Sequence, residues 1–391
     1  MTARPVDVAP AGPVRLPESG LGHGWEARAV MGLTILLLSV GLVSLYSASS
    51  VLAMREGEPD TYFLVRQAAA VGVGLVVLIG CAWIPYTWWS RCSWPLLWIS
   101  FASLIVLVLP GTEAIAPRIN GARRWLDLGV RVQPAEIAKI TIVVWTAAMA
   151  VKKAPVFNSL RQGLAPFFVI WTLLLVPIAL EPDLSTAFVL ALLGLIVLFA
   201  AGARIAHFVF LGLLISPVVY NQLAVGFRAD RIFAFLNPAS DPAGAGFQVR
   251  QSLVALGSGG LTGVGIGEGR QKFGFLPEAH TDFIFSMIGE EWGLLGVVFL
   301  VCLYMAIVVV GFRIASRAPD LFGELLAIGF TSLIALQALL HMAVGLGLVP
   351  PTGLTLPLVS WGRSNLLVTL AALGILMSVA RAAPGGSAAR A

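Results

Sequence analysis

Apolar runs of about 18–20 residues recur along the whole chain and are separated by shorter polar segments. A helix of that length crosses the hydrocarbon core of a bilayer. One run, 281–312, is longer than a single crossing, so we expect it to begin outside the lipid. The pattern predicts an all-α polytopic membrane protein with ten transmembrane helices. Their approximate bounds are 29–50, 63–84, 94–110, 134–151, 163–180, 184–201, 204–223, 281–312, 321–346 and 362–381.

Two connections between these helices are long, residues 111–133 and residues 224–280. Loops of that length are usually functional or disordered. The second connection holds eight glycines between Gly257 and Gly274, and we interpret this glycine-rich part as a flexible loop. The chain divides into a proline- and glycine-rich tail expected to be disordered (1–24), a membrane domain (25–381) and a second tail (382–391).

The distribution of basic residues predicts the orientation in the membrane. An even number of spans places both tails on one side and both long loops on the other. Short loops on the tail side are basic, and short loops are where the positive-inside rule applies. The basic residues there are Lys152, Lys153, Arg161, Arg204, Arg313 and Arg317. We therefore expect cytoplasmic tails and a large extracytoplasmic loop at 224–280. The many arginines of the long loops have two explanations: long loops cross regardless of charge, or they form an outward-facing anion site.

Composition narrows the partners further. Hydrophobic residues make up 58% of the chain and charged residues 12%, so we expect most of the protein surface to contact membrane lipid. The net charge of +5 does not indicate a nucleic-acid partner, because no basic run exceeds two residues. The three cysteines, Cys81, Cys92 and Cys302, show no paired spacing, and we interpret them as apolar packing residues rather than disulfide or metal ligands.

Acidic residues concentrate where the eighth predicted helix begins. Pro277 disfavours a helix before Asp282, and Thr281 is suited to cap a helix that starts there. Asp282, Ser286 and Glu290 would then share one face at i, i+4 and i+8. This arrangement would place Asp282 at the outer membrane boundary.

Two neighbouring features have structural explanations. Glu290 and Glu291 would lie within the membrane helix, where acids are costly and normally have a partner, so we interpret them as structurally paired. His280 and His341 lack a fixed carboxylate spacing, so we favour ordinary hydrogen bonding over metal binding for His280.

Seven motifs, in this order and at these spacings, resemble the shape, elongation, division and sporulation family of FtsW/RodA-type glycosyltransferases. They are Asn-Gly-Ala-Arg-Arg-Trp (120–125), Gln-Pro-Ala-Glu-Ile-Ala-Lys (133–139), Glu-Pro-Asp-Leu-Ser-Thr-Ala (181–187), Phe-Leu-Asn-Pro-Ala-Ser-Asp-Pro (235–242), Gln-Ser-Leu-Val-Ala-Leu-Gly-Ser-Gly-Gly (251–260), Leu-Pro-Glu-Ala-His-Thr-Asp-Phe-Ile-Phe (276–285) and Pro-Thr-Gly-Leu-Thr-Leu-Pro-Leu-Val-Ser-Trp-Gly (351–362). The forms of the last two are closer to the FtsW division branch than to RodA.

The resemblance implies a bacterial enzyme that polymerises lipid II, a disaccharide-pentapeptide on undecaprenyl pyrophosphate, at the cytoplasmic membrane. It also implies a class B penicillin-binding protein and other divisome proteins as partners, at the division septum. The family's aspartate corresponds to Asp282, and its tryptophan to Trp125.

The chemistry needs a base for the attacking hydroxyl and positive charge for the departing pyrophosphate. Asp282 is the expected base, or else the ligand of a divalent cation, magnesium or manganese. Glu136 and Lys139 form either a simple intrahelical ion pair or part of the groove, and Trp125 is either a sugar platform or an interfacial anchor. The predicted substrate-binding residues are Arg123, Arg124, Trp125, Glu136, Lys139, Glu181, Asp183, Arg228, Arg231, His280, Ser360 and Arg363.

Departures from the family pattern cluster at the outer end of the last two helices. Arg363 stands where glycine is usual, and His341 and Gly345 where asparagine often stands; Ala135 replaces a usual serine. We expect Arg363 either to add a phosphate contact or to crowd the groove.

Two other functions compete with the enzyme. A lipid II flippase would need polar residues along the full depth of a path, whereas the ionisable residues here cluster in the outer half. A scaffold that recruits the penicillin-binding protein would not need Asp282 or the outer arginines. The sequence therefore favours the glycosyltransferase.

Overall fold

The computed structural model describes residues 24–119, 121–127, 129–157, 159–209 and 244–383, together with isolated positions between 210 and 243. Long α-helices dominate these ranges. In chain order they are α1 Trp25–Arg55, α2 Tyr62–Trp83, α3 Trp88–Val108, α4 Pro134–Lys153, α5 Ala165–Leu180, α6 Leu184–Ala200, α7 Ala245–Gly259, α8 Ile284–Ser316, α9 Leu321–Gly345 and α10 Arg363–Ala382.

The helices confirm the predicted all-α membrane architecture. Eight helical segments in the described ranges are long and apolar enough to cross a membrane, and they match eight of the ten predicted spans. The sixth predicted span corresponds to α6, which is apolar but has only 17 residues. The seventh, 204–223, lies mostly outside the described residues, although positions 205–209 are helical.

Short elements lie in the connections. Strands β1 Leu126–Asp127 and β2 Arg131–Val132 pair antiparallel within the first long loop. A 3₁₀ turn at Ala154–Val156 and a π-helical turn at Leu160–Leu164 join α4 to α5, and a second 3₁₀ turn is Gln271–Phe273. Helix α7 was not predicted, because glycines dominate the sequence around its end.

The centre of the bundle is formed by α4, α9 and α10. In the most apolar 18-residue stretch of each span, 83% of residues are buried for α4, 67% for α9 and 78% for α10. The corresponding share is 28% for both α2 and α3. Glycine permits the closest approaches: a Cβ added at Gly374 of α10 would lie 2.4 Å from the Leu78 carbonyl oxygen of α2. Helices α2 and α3 therefore present most of their surface to lipid.

The helix ends fall on two opposite faces. On the tail face, Glu26 at the start of α1 pairs with Arg313 and Arg317 at the end of α8, and Tyr86 donates to Asp320. The loop face is built by 56–61, 109–119, 121–127, 129–133, 181–183, 260–283 and 346–362.

Helix α8 is broken at Gly293, which has φ 65° and ψ −164°. The break removes helical partners from nearby backbone groups, and residues 260–265 replace them. Val264 and Gly265 donate to the carbonyls of Glu290 and Glu291, and the amides of Leu294 and Leu295 donate to residues 260 and 261. Four backbone groups at the helix break are thus paired with the loop, as buried backbone groups require.

The break corrects two predictions. Residues 294–316 alone measure about 34 Å, enough to cross a bilayer. Glu290 and Glu291 therefore lie at the loop-face end of the span, not deep within it. The glycine-rich segment, predicted to be a flexible loop, packs against α8: a Cβ added at Gly263 would lie 2.1 Å from the Glu291 carbonyl oxygen.

Candidate functional site

Asp282 lies on the loop face in a short turn just before α8. Its backbone amide donates to the Glu278 carbonyl at 3.0 Å, and its side chain is half-buried. The predicted helix cap is wrong: α8 begins at Ile284, and the Thr281 hydroxyl donates to the Glu278 carboxylate at 3.0 Å. Asp282 consequently precedes the helix and does not share a helical face with Ser286 and Glu290.

Ser360 joins this turn to the segment before α10. Its hydroxyl donates to the Thr281 carbonyl at 2.7 Å and accepts from the Leu356 amide at 2.9 Å. The Trp361 amide donates to the His280 carbonyl at 3.0 Å. These bonds, to the two residues directly before Asp282, fix the backbone that carries its carboxylate.

Residues 351–362 also approach the Asp282 side chain itself. Gly353 has φ 73°, and a Cβ added there would lie 3.8 Å from Asp282 Oδ2. Gln67 of α2 donates to the Ser360 carbonyl at 3.1 Å, which holds this segment from the opposite side. The position of Asp282 therefore depends on two loops and on α2.

His280 is a packed, neutral residue. Its ring lies 5.0 Å from that of Phe63, which in turn lies 5.2 Å from the ring of Trp361. Burial lowers the pKa of His280, although nearby Glu278 opposes the shift. Within the described ranges, no group of three or more His, Cys, Asp or Glu residues is placed to hold a metal ion.

Arg363 is the first residue of α10, and its guanidinium lies 5.9 Å from the centre of the Trp361 ring. This is within the range of a cation–π contact. The contact places a half-buried cation beside the aromatic residue whose amide binds the Asp282 turn. Arg363 is thus part of the same local cluster.

A buried polar cluster joins α4 to α10. Lys139 Nζ donates to Glu136 Oε1 at 2.6 Å, and Asn365 of α10 donates to Glu136 Oε2 at 3.0 Å. All three residues are buried. The predicted intrahelical ion pair is present, and Asn365 extends it to a second helix. Asn365 was missed, although a lone amide in an apolar helix is a recognisable signal.

The two arginines of the 120–125 motif bind the protein itself. Arg124 donates to the carbonyls of Glu181 and Pro182, at 3.3 and 2.8 Å. Arg123 donates to the Leu109 carbonyl at 3.0 Å and forms an ion pair with Glu113. Both guanidinium groups are therefore held in place on the loop face.

The two acids after α5 differ in role. Asp183 caps α6 by accepting from the Thr186 amide and hydroxyl, at 3.2 and 2.9 Å. Glu181 is 4% exposed, and neither carboxylate oxygen has a hydrogen-bond partner among the described residues. Burial, together with Asp183, raises the pKa of Glu181 to about 8 despite the opposing charge of Arg124.

The acids at the α8 break are structurally paired, as predicted. Glu291 accepts from the Ser47 hydroxyl at 2.5 Å and lies 3.5 Å from Lys272 Nζ. Glu290 accepts from the backbone amides of Arg270 and Gln271, at 2.8 and 3.3 Å. The backbone donors were not foreseeable, because they depend on the loop returning to the helix.

The structure also shows where other residues singled out in the sequence lie. Trp125 is half-buried directly before β1. Arg228 and Arg231 lie outside the described residues. His341 binds the Leu354 carbonyl through Nδ1 at 2.8 Å, so it helps to hold the same 351–362 segment. At Gly345, a Cβ would lie 2.9 Å from the Phe285 ring, which explains a small residue there.

Comparisons with known proteins agree with the architecture. A family model described as "Cell cycle protein", for FtsW, RodA and SpoVE, matches residues 28–384. A protein of Trichlorobacter lovleyi named probable peptidoglycan glycosyltransferase FtsW is 41% identical, with 94% of each chain covered. Stage V sporulation protein E of Bacillus subtilis is 40% identical over 89% of this chain and 95% of its own.

Two solved structures have a similar fold. A chain of a peptidoglycan synthase complex, studied for its coordination of polymerization and crosslinking, has a TM-score of 0.75 at 29% identity. The match covers 93% of this chain and 98% of that one. The rod shape determining protein RodA of Thermus thermophilus has a TM-score of 0.67 at 28% identity, with 92% and 97% covered.

Proposed function

Because this chain belongs to the FtsW, RodA and SpoVE family of cell cycle proteins, we propose that it is a peptidoglycan glycosyltransferase that polymerises lipid II during cell division. One observation supports this most strongly. Ser360 and Trp361 hold the turn that carries Asp282 on the loop face, and Arg363 lies against the Trp361 ring. A positioned carboxylate, with an aromatic ring and a cation in the segment that holds it, suits glycosyl transfer from a lipid pyrophosphate.

The reaction joins a sugar hydroxyl to the anomeric carbon of a lipid-linked donor. Asp282 accepts the hydroxyl proton as the oxygen attacks, the bond from the anomeric carbon to the pyrophosphate oxygen breaks, and the configuration inverts. Negative charge then grows on the pyrophosphate, and fixed cations stabilise it. Arg363 is a candidate for this role, because its guanidinium lies against Trp361, whose amide binds the turn.

A divalent cation bound by Asp282 is the alternative role for this carboxylate. The described residues do not assemble three acidic or histidine ligands. A magnesium ion is usually held by one or two carboxylates together with substrate phosphates, so Asp282 could bind one with the donor pyrophosphate. The steps above are written with Asp282 as the base.

The supporting residues position the reacting groups. Ser360 uses its hydroxyl both to donate and to accept within the protein, so its role is to hold the Asp282 turn. Glu136 and Lys139 neutralise each other in the bundle interior, and the hydrogen bond from Asn365 to Glu136 holds α4 against α10. Arg123, Arg124, Arg228 and Arg231 remain candidates for contacts with the pyrophosphate.

We further propose that the loop face is extracytoplasmic and that both tails are cytoplasmic at the division septum. The short tail-side loops carry the basic residues, as the positive-inside rule requires. A class B penicillin-binding protein is the proposed partner, because a related chain occurs in a complex that coordinates polymerization with crosslinking.

The test is an assay of purified protein in proteoliposomes with lipid II, with and without the partner transpeptidase. Glycan polymer should form. Transfer of lipid II between leaflets without polymer would favour the flippase, and neither activity would favour the scaffold.

A further inference from the structure

A cavity of about 280 Å³ lies on the tail side of the bundle, between α3, α4 and α5. Lys153 is the last residue of α4 and Phe167 the third of α5, so the cavity lies where these helices end on the tail face. No residue of the Asp282 cluster lines it. The lining includes Trp94, Trp145, Lys153, Phe167, Val169 and Ile170.

Aromatic rings form the inner wall of this cavity. Trp145 is 2% exposed, and its ring contacts those of Trp94 and Phe167 edge to face, at 5.6 and 5.7 Å between ring centres. Apolar cavities of ~150 Å³ stay dry and take up small hydrocarbons, because water finds no polar partners in them. A larger apolar cavity of this kind is therefore suited to hydrocarbon rather than to water.

The outer side of the cavity meets the lipid. Val169 is 65% exposed and Trp94 is 38% exposed, and both belong to helices that show most of their surface outside the bundle. Trp145 lies eight residues before the end of α4, or about 12 Å along the helix. One leaflet of the hydrocarbon core is about 15 Å thick. The cavity therefore lies at the depth of the acyl chains in the tail-side leaflet.

A single cationic residue adjoins this apolar wall. Lys153 is the only charged residue in the described lining of the cavity, and it is half-buried. It forms no ion pair with any residue that the structure describes. The helix dipole favours cations in the last turn of α4, which accounts equally for the exposed Lys152. Only Lys153 lines the cavity, where its alkyl stem can pack on apolar surface while the ammonium group stays near the headgroups.

We propose that this cavity binds one acyl chain of an anionic glycerophospholipid from the tail-side leaflet, with the lipid phosphate on Lys153. The apolar wall matches the chain, and the unpaired ammonium group matches a headgroup with net negative charge. The site lies on the face opposite to Asp282, so binding does not depend on glycosyl transfer.

The experiment measures binding to the purified full-length chain in detergent by native mass spectrometry. The probes are anionic dioleoyl phosphatidylglycerol, dioleoyl phosphatidylcholine, which has no net charge, and inorganic phosphate. Phosphatidylglycerol should bind about fivefold more tightly than phosphatidylcholine, the effect of one basic residue on an anionic headgroup. Equal binding of the two lipids would overturn the proposal, as would equal occupancy by inorganic phosphate at matched concentration.

Two adjacent lysines separate a defined headgroup contact from general surface charge. Lys153→Gln should remove most of the preference for phosphatidylglycerol and leave the binding of phosphatidylcholine unchanged. Lys152→Gln is the matched control, because it removes the same charge one residue away and outside the cavity lining. The preference should survive in this control. Equal loss in both variants would assign the preference to the basic surface as a whole and contradict the site.

A bulky substitution tests the place of the acyl chain. Ile170→Trp fills the cavity and should weaken the binding of both lipids about tenfold, since each excluded methylene loses its burial. Val176→Trp adds bulk at a 47% exposed position of the same helix, outside the lining, and should leave binding unchanged. Undiminished binding in Ile170→Trp would place the lipid elsewhere. Thermal unfolding identifies misfolded variants, and Lys153→Gln tests the proposal without any change in the core.

Discussion

At the scale of single residues, Glu181 makes the stability of the fold depend on pH. Its pKa of about 8 in the folded chain lies above the 4.5 of an ordinary glutamate. The folded state keeps the proton that the unfolded state releases, so the free energy of unfolding falls as pH rises from about 4.5 to about 8. Above that range the loss is complete.

Glu181→Gln removes this titration. We expect the variant and the parent to unfold at similar temperatures near pH 5, and the variant to unfold at a higher temperature near pH 8.5. Thermal scans in detergent at both values test this. A variant that unfolds at a lower temperature at the higher pH would show that the carboxylate is stabilised by its charge.

Arg363 is the second residue with a specific expectation. If it contacts the pyrophosphate, Arg363→Gly should keep the fold and raise KM for lipid II by about tenfold, with a smaller change in kcat. Arg131→Gly, at an exposed position on the same face, serves as control. Unchanged or improved kinetics would remove Arg363 from the site.

At the scale of elements, the broken helix α8 and residues 260–265 act as one unit. A Cβ at Gly293 would lie 2.2 Å from the Gly263 amide nitrogen, at a φ that favours glycine. Gly293→Ala should therefore destabilise the protein by roughly 1–3 kcal/mol and lower its unfolding temperature. Gly257→Ala is the control, since a Cβ at Gly257 meets nothing within 4 Å. Equal unfolding temperatures for the two variants would mean that the helix break accepts a side chain at position 293 without loss of stability.

The spans of these elements were predictable, whereas their interruptions were not. Lipid permits only long apolar helices, so hydropathy alone located α1 to α5 and α8 to α10. The break in α8 depends on hydrogen bonds to a loop some thirty residues earlier. The turn before α8 depends likewise on Ser360, far along the chain. Local sequence signals, such as the threonine before Asp282, cannot register contacts of that kind.

At the scale of the whole molecule, the candidate site was predicted in its location more than in its contacts. The acids between 278 and 291 do gather at one face of the bundle. Asp282 belongs to a loop cluster there, whereas Glu290 and Glu291 secure the helix break. In the folded chain Arg124 binds a turn and Asp183 a helix end, contacts that were not predicted. Their substrate contacts stay a prediction.

The orientation of the whole bundle is testable without activity. Thr61, on the loop face, and Ser316, on the tail face, are exposed. In a background without the native cysteines, Thr61→Cys should react with an impermeant maleimide in intact cells, and Ser316→Cys should react only after lysis. The reverse pattern would invert the topology and place Asp282 in the cytoplasm.

The central claim is that Asp282 performs the chemistry of glycan polymerisation. Asp282→Asn keeps the size of the side chain but removes its basicity and charge. The loss of a positioned base typically lowers a rate by about 10²–10⁴-fold. The measurement is the rate of glycan polymer formation from lipid II by the purified Asp282→Asn variant with its partner transpeptidase. We expect a stable, membrane-inserted protein that binds the partner and forms almost no polymer; polymerisation near the parent rate would contradict the catalytic assignment.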